Sequence, residues 1–257
     1  MTTLPPDEEI LTGGNMNTVS RVGATVRRQP GPWSGRVHQL LLHLHACGIE
    51  QVPTPLGYDE QGREILSYFP GAACHTANPD LLTEPVIESA GHLLRRIHDA
   101  TQDVALDWFD GWQANTRQPV EVICHGDFAP YNCIFDNQGC LVGVIDFDYA
   151  HPGSRNWDLA YALYRFAPIM APSNPECFGG IIDQARRASL FCQAYGVSWS
   201  ASLIEVVEQR IQAMVDFLLE GAAVGDTRRI ANINAGHLEI YQNDRAHLAA
   251  NAAAYLL

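Results

Sequence analysis

The sequence predicts an α+β chain of two lobes: a small antiparallel sheet carrying one helix, then a larger, mainly helical part containing a hairpin. Three observations predict it. The first seventy residues hold short apolar-alternating runs separated by glycine turns, with a single stretch of helical period among them. Near Gly71 the pattern shifts to long segments of helical period. Inside that second part, Cys133 to Phe135 and Leu141 to Ile145 straddle the four-residue turn Asp136-Asn137-Gln138-Gly139. The boundary therefore falls at Pro70-Gly71, with residues 1–70 as the small lobe and residues 71–257 as the large one.

Each element has its own signal. Val19 to Gly23 and Thr25 to Arg28 alternate like strands, and Gly23 marks either a tight turn or a bulge in one longer strand. After Pro32, Val37, Leu40, Leu41 and Leu44 share one helical face, and the segment ends at Gly48. Thr54 to Asp59 and Glu64 to Phe69 flank Gln61-Gly62, a second hairpin signal. Thr83 is a candidate N-cap, with Pro85 in the first turn and Ile87, Ala90, Leu94 and Ile97 on one face. Val120 to Cys124 is a short apolar strand ending at His125-Gly126-Asp127. Helices follow at Asp158 to Phe166, at Ile182 to Tyr195 with Gly196 as C-cap, and from a capping box at Ser202-Leu203-Ile204-Glu205 through Leu219. Ala246 to Leu257 is alanine-rich and helix-prone.

Composition excludes several classes of function. Sixteen basic and twenty-nine acidic side chains give a formal charge of −13, which repels a nucleic-acid backbone. All sixteen basic residues are Arg, so no mechanism can use a lysine. Seven widely spaced cysteines without a Cys-x-x-Cys pair read as reduced thiols. No apolar run approaches the roughly 20 residues that span a bilayer, and no basic amphipathic stretch suits a membrane surface. The expectation is a cytoplasmic protein, monomeric or homodimeric, without nucleic-acid or membrane partners. The scattered histidines read as helix-face residues, and Trp108, Trp112, Tyr149, Tyr161 and Tyr164 as core rather than a cage for a cation.

The chemistry concentrates on two loops that leave one hairpin. They carry Asp127 and Asn132 on one side and Asp146 and Asp148 on the other, too many acidic and amide groups for turns alone. Hard oxygen ligands on short loops suit magnesium, which takes one or two carboxylates from a protein and keeps several waters. A carboxylate five residues before an amide, with a second carboxylate on the next loop, matches the phosphoryl-transfer arrangement of a hydroxyl-orienting base and a metal pair.

The stretch His125-Gly126-Asp127-Phe128-Ala129-Pro130-Tyr131-Asn132, followed by Val144-Ile145-Asp146-Phe147-Asp148, resembles the aminoglycoside phosphotransferase and choline kinase group, a branch of the protein-kinase-like fold. Gly13-Gly14-Asn15, Leu94-Arg95-Arg96-Ile97-His98 and Trp157-Asp158-Leu159-Ala160 extend the resemblance along the chain. The resemblance implies that Asp127 accepts the proton of an acceptor hydroxyl, and that Asn132 and Asp146 hold magnesium on the phosphates of ATP or GTP. It implies that Gly13 and Gly14 cover those phosphates, that the backbone of Ser67-Tyr68-Phe69 meets the adenine edge, and that His125 and Asp158 support the catalytic loop. Asp148 is either a second metal neighbour or a substrate contact. The acceptor is a small molecule, either an aminoglycoside-like antibiotic or an amino alcohol such as choline.

Two departures stand out. Kinases of this fold pair a strand Lys with a helix Glu. Here the strand offers Arg27 and Arg28, and alternation with an inward Val26 selects Arg28. The first helix offers Val37 and His38 where the acid is expected. The chain also resembles short relatives that confer immunity to the peptide antibiotic trifolitoxin, which implies an alternative: a catalytically weak, kinase-shaped binding protein. Protein-kinase activity is disfavoured, because the ten residues 147–156 leave no room for an activation segment.

Overall fold

A computed structural model describes residues 8–11, 19–74 and 80–256. The chain forms strands β1 (Glu8–Leu11), β2 (Val19–Val22) and β3 (Thr25–Arg28), helix α1 (Ser34–Ala46), then β4 (Pro55–Tyr58), β5 (Glu64–Ser67) and β6 (Ala72–Ala73). Helix α2 (Glu84–Thr101), strands β7 (Val122–Cys124), β8 (Cys133–Phe135), β9 (Leu141–Val144) and β10 (His151–Gly153), and helix α3 (Arg155–Phe166) follow. Helices α4 (Ile181–Tyr195), α5 (Ala201–Ala223), α6 (Thr227–Asn234) and α7 (His237–Asn251) complete it.

The chain divides into two compact units. The first comprises the described residues of Met1–His75 together with Arg96–Asp127 and Tyr131–Gly153. Its main sheet is antiparallel, in the order β1-β2-β3-β5-β4. Gly23 takes a left-handed conformation and turns β2 into β3, which settles the choice between turn and bulge. Helix α1 buries Val37, Leu40, Leu41 and Leu44, the face read from the sequence, at roughly 1.5–3 kcal/mol for each fully buried side chain. That helix packs on β4 and on the turn Phe147–Tyr149. The amide of Val144 on β9 donates to the Gln51 carbonyl (2.8 Å), tying the segment after α1 to the hairpin.

The same unit holds two smaller sheets, β6-β8-β9 and β10-β7. The β8–β9 hairpin turns as its sequence predicts. Asp136 Oδ1 accepts from the amides of Gln138 (2.8 Å) and Cys140 (2.9 Å), closing the turn.

The second unit is Thr76–Arg95, Phe128–Pro130 and Ser154–Leu257, described from residue 80 to 256. Helix α5 packs against α3, α6 and α7. Phe128, Tyr164, Phe166, Phe191 and Tyr195 fill its core. Gly196 caps α4 in the left-handed conformation, as expected. Helix α5, however, is capped by Ser200, whose hydroxyl accepts from the Leu203 amide, not by Ser202, because the helix already begins at Ala201. One buried carboxylate organises this unit: Asp244 on α7 accepts from the Tyr164 hydroxyl (2.6 Å), the Ala171 amide (2.8 Å) and the Asn174 amide group (2.7 Å). No helix among the described residues is long and apolar enough to cross a membrane.

Candidate active site

The site is assembled in the first unit from the ends of β7, β8 and β9 and from the paired strands β3 and β5. Strand β7 delivers His125-Gly126-Asp127. Gly126 has a φ of +82°, and a Cβ there would collide with the Tyr149 carbonyl oxygen. Only glycine lets the two loops approach so closely. His125 is buried; its Nδ1 accepts from the Asp127 amide (3.3 Å), so its Nε2 carries the proton and donates to the Ile145 carbonyl (3.1 Å). Its ring lies on Phe147, 4.4 Å between centroids. One neutral imidazole thus joins the loop of Asp127 to the loop of Asp146.

Asp127 keeps its carboxylate between two donors. The Tyr131 hydroxyl donates to Oδ1 at 2.5 Å, and Asn132 Nδ2 donates to Oδ2 at 2.9 Å and to the Asp127 carbonyl at 3.0 Å. Because the Asn132 nitrogen is spent on Asp127, its amide oxygen is the atom left to meet a cation. The Ile145 amide donates to the Asn132 carbonyl (2.8 Å), so hairpin register brings Asp146 beside this pair.

Asp146 is the one residue other than glycine with positive φ (+64°) among the described residues. Aspartate tolerates that conformation better than most side chains, and such strain collects where a side chain must be aimed. Its side chain keeps 43% of its surface open, so a ligand can reach it, while protein atoms enclose its other sides. This partial desolvation, then Asp148 and Asp127, push its carboxyl pKa up to about 6 against the pull of Arg28.

Arg28 meets three carboxylates. Its Nε donates to Glu64 Oε1 (2.5 Å), Nη2 donates to Asp148 Oδ1 (2.6 Å), and Nη1 stands 3.7 Å from Asp146 Oδ1. Burial alone would lower the guanidinium pKa, but Asp148, Glu64 and Asp146 raise it, so Arg28 stays charged. Arg27 points elsewhere, toward Thr25 and Asp59. Asp148 is therefore the anchor of Arg28 here, and Glu64 supplies the acid that the first helix lacks. Glu64 lies directly across the β3–β5 ladder from Arg28, and its second oxygen is 2.6 Å from His38 Nε2 on α1.

Sequence reasoning missed Glu64, His38 and Tyr131 as members of this site. The inward alternation of Glu64 with Leu66 was the available signal, since both are buried. Ser67 closes the end of β5, its hydroxyl accepting from the Thr54 amide (2.8 Å). The amides of Ser67 and Tyr68 donate to the Thr54 and Ala24 carbonyls, both at 3.0 Å. The Phe69 ring covers Gly143, where a Cβ would lie 2.9 Å from it. Asp158 is buried in the first turn of α3, in the second unit. Gly13 and Gly14 lie outside the described residues.

The donor set suits a magnesium ion carried in by a nucleotide. Asp146, Asp148 and Glu64 face one guanidinium and Asp127 adds its charge beside Asp146, a net excess of negative charge that a divalent cation would offset. The accessible carboxylate of Asp146 and the amide oxygen of Asn132 are hard ligands of the right type, and magnesium needs no more than these from protein.

A family model described as the phosphotransferase enzyme family matches residues 10–121 and 112–187. The chain is 36% identical over 200 residues to the trifolitoxin immunity protein of Rhizobium leguminosarum bv. trifolii, covering 75% of each. A choline/ethanolamine kinase family protein from Mesorhizobium loti superposes with a TM-score of 0.57 at 18% identity, over 95% of this chain and 91% of that one. The GDP complex of wild-type aminoglycoside 2'-phosphotransferase-IIIa gives a TM-score of 0.64 at 16% identity, over 93% and 92%. These two likenesses show a protein-kinase-like α+β fold.

Proposed function

Since the chain belongs to the phosphotransferase enzyme family, we propose that it moves the terminal phosphoryl group of ATP or GTP to a hydroxyl of a small molecule. One observation carries this reading: the β8–β9 hairpin and its flanking loops hold a positioned carboxylate, Asp127, beside two hard metal ligands, Asn132 and Asp146, with Arg28 brought to the same point from the sheet. Asp127 takes the proton as the acceptor oxygen bonds to the γ-phosphorus, and the bond to the β,γ-bridging oxygen breaks with its electron pair leaving on the nucleoside diphosphate. Tyr131 and Asn132 hold that carboxylate in one orientation. A bound magnesium ion would neutralise phosphate charge, held by Asn132 and Asp146. Arg28 would face the phosphates with its Nη edge, a planar fork suited to phosphate oxygens. Because the Ser67 and Tyr68 amides are spent inside the sheet, the Phe69 amide and the nearby carbonyls would have to meet the base. Within residues 1–70 as the nucleotide-binding lobe, Gly13 and Gly14 would cover the phosphates. Asp158 would brace the catalytic loop.

Calorimetry with magnesium and ATP, then GTP, tests this directly. The parent protein should bind and Asp146→Ala should lose binding. A parent that binds neither nucleotide overturns the reading.

A second reading follows from the immunity relative, whose 36% identity stands well above the 18% and 16% of the two solved structures described above. In it the chain protects against a peptide antibiotic, by phosphorylating it or by sequestering it. Survival of cells carrying a variant of Asp127 decides between those two.

A further inference from the structure

We propose that Glu64 and His38 are positioning residues for Arg28, fixing which edge of its guanidinium is offered to the nucleotide phosphates, an assignment that rests on the phosphotransferase reading of the same site. The geometry divides the guanidinium into two edges. Nε is taken by Glu64, whereas both Nη nitrogens face the loop of Asp146 and Asp148. Glu64 and these two aspartates therefore compete for one cation through different nitrogens. Were Glu64 neutral, Asp146 and Asp148 alone would draw Arg28 onto the metal loop, covering the carboxylate that a cation must reach.

Glu64 is suited to resist that pull. Its side chain is 1% exposed, its register opposite Arg28 is set by the β3–β5 ladder, and each carboxylate oxygen has its own nitrogen partner. A buried carboxylate held at both oxygens has little freedom to follow the guanidinium. His38 completes the arrangement from α1: its ring lies 5.5 Å from that of Tyr58, and its Nε2 fixes Oε2, leaving Oε1 aimed at Arg28. A lysine could not be steered in this way, because an ammonium has no second edge to be held by. The chain's use of Arg on this strand and the location of the acid on β5 thus form one device.

A double-mutant cycle read in nucleotide affinity tests it. The full chain, Glu64→Gln, Arg28→Gln and the double variant are titrated with magnesium and ATP by calorimetry. Glu64→Gln should weaken binding by about tenfold, the scale on which an indirect ligand support acts. In the Arg28→Gln background the same change should add less than about twofold. Equal losses in both backgrounds would show that Glu64 acts on the fold and not through Arg28, and would overturn the inference. So would unchanged affinity in Glu64→Gln. Should that variant not fold, His38→Gln in the same two backgrounds reports from the other end of the chain of contacts, and a loss that persists without Arg28 overturns the inference equally. A parent protein that binds no nucleotide refutes the phosphotransferase reading first and this inference with it, an outcome distinct from binding that Glu64 does not affect.

Discussion

On the proposed reading Asp127 accepts a proton and must be held still, and its two oxygens meet one hydroxyl and one amide group. The backbone beneath it depends on Gly126. Gly126→Ala would drive a methyl into the Tyr149 carbonyl in a left-handed conformation, so a loss of about 3 kcal/mol or more is expected, measurable by denaturant unfolding. Asp146 carries a pH dependence of definite sign. Its carboxyl pKa is raised from 3.8 to about 6 by partial desolvation and then by Asp148 and Asp127. Magnesium takes the ionised form, so affinity for the magnesium–nucleotide pair should be constant above that value and fall as pH drops below about 6, with proton release on binding near the midpoint. Calorimetry in buffers of different ionisation enthalpy reads both; affinity independent of pH across this range would remove Asp146 from the metal site.

At the scale of elements, the site depends on strand register as much as on motif. Strands β3 and β5 bring Arg28 opposite Glu64 in a nearly dry place. Burial pushes the Glu64 pKa up, but His38 and Arg28 outweigh it and hold the carboxyl below its ordinary 4.5. A depressed carboxyl contributes stability that is present above 4.5 and disappears as pH falls through the folded-state value. Acid unfolding of the parent should thus be steeper below about pH 4.5 than that of Glu64→Gln, while Glu64→Ala, which leaves Arg28 to Asp148 and Asp146 but takes the acceptor from its Nε and from His38, should cost about 1–3 kcal/mol. Legibility in the sequence follows the same division. Asp127, Asn132 and Asp146 stand within twenty residues and share one hairpin, so spacing alone joined them. Arg28 was reachable by strand alternation. Its partner was not, since Glu64 lies 36 residues away and only the ladder pairs them. Strands β1, β6 and β10 escaped notice because runs of two to four residues are specified by their partners. Helix α6 is only eight residues long and the first half of α7 has almost no apolar face, so neither offered an apolar period long enough to read.

For the whole molecule, the open issue is what the assembled site acts upon. The chain carries a formal charge of −13, which attracts cationic acceptors from a distance but says nothing of the atoms that receive a phosphoryl group. The relative that confers immunity to trifolitoxin turns this into a cellular question. If the chain protects by chemistry, protection requires a base at position 127; if it protects by holding the peptide, it requires only the surface. Asp127→Asn separates the two, because the amide oxygen can still accept from the Tyr131 hydroxyl and Asn132 keeps the backbone carbonyl of residue 127 as its acceptor, while the group can no longer take up a proton. Cells producing this variant at the parent's level, challenged with the peptide antibiotic, should lose protection, and the purified variant should still bind magnesium and nucleotide. Retained protection would instead assign the activity to sequestration and leave the phosphoryl-transfer apparatus without a part in it. Protection lost together with nucleotide binding would point to a damaged site, and the same challenge repeated with Arg28→Gln, which on the proposed reading weakens phosphate contact without touching the base, would then show whether nucleotide is needed at all.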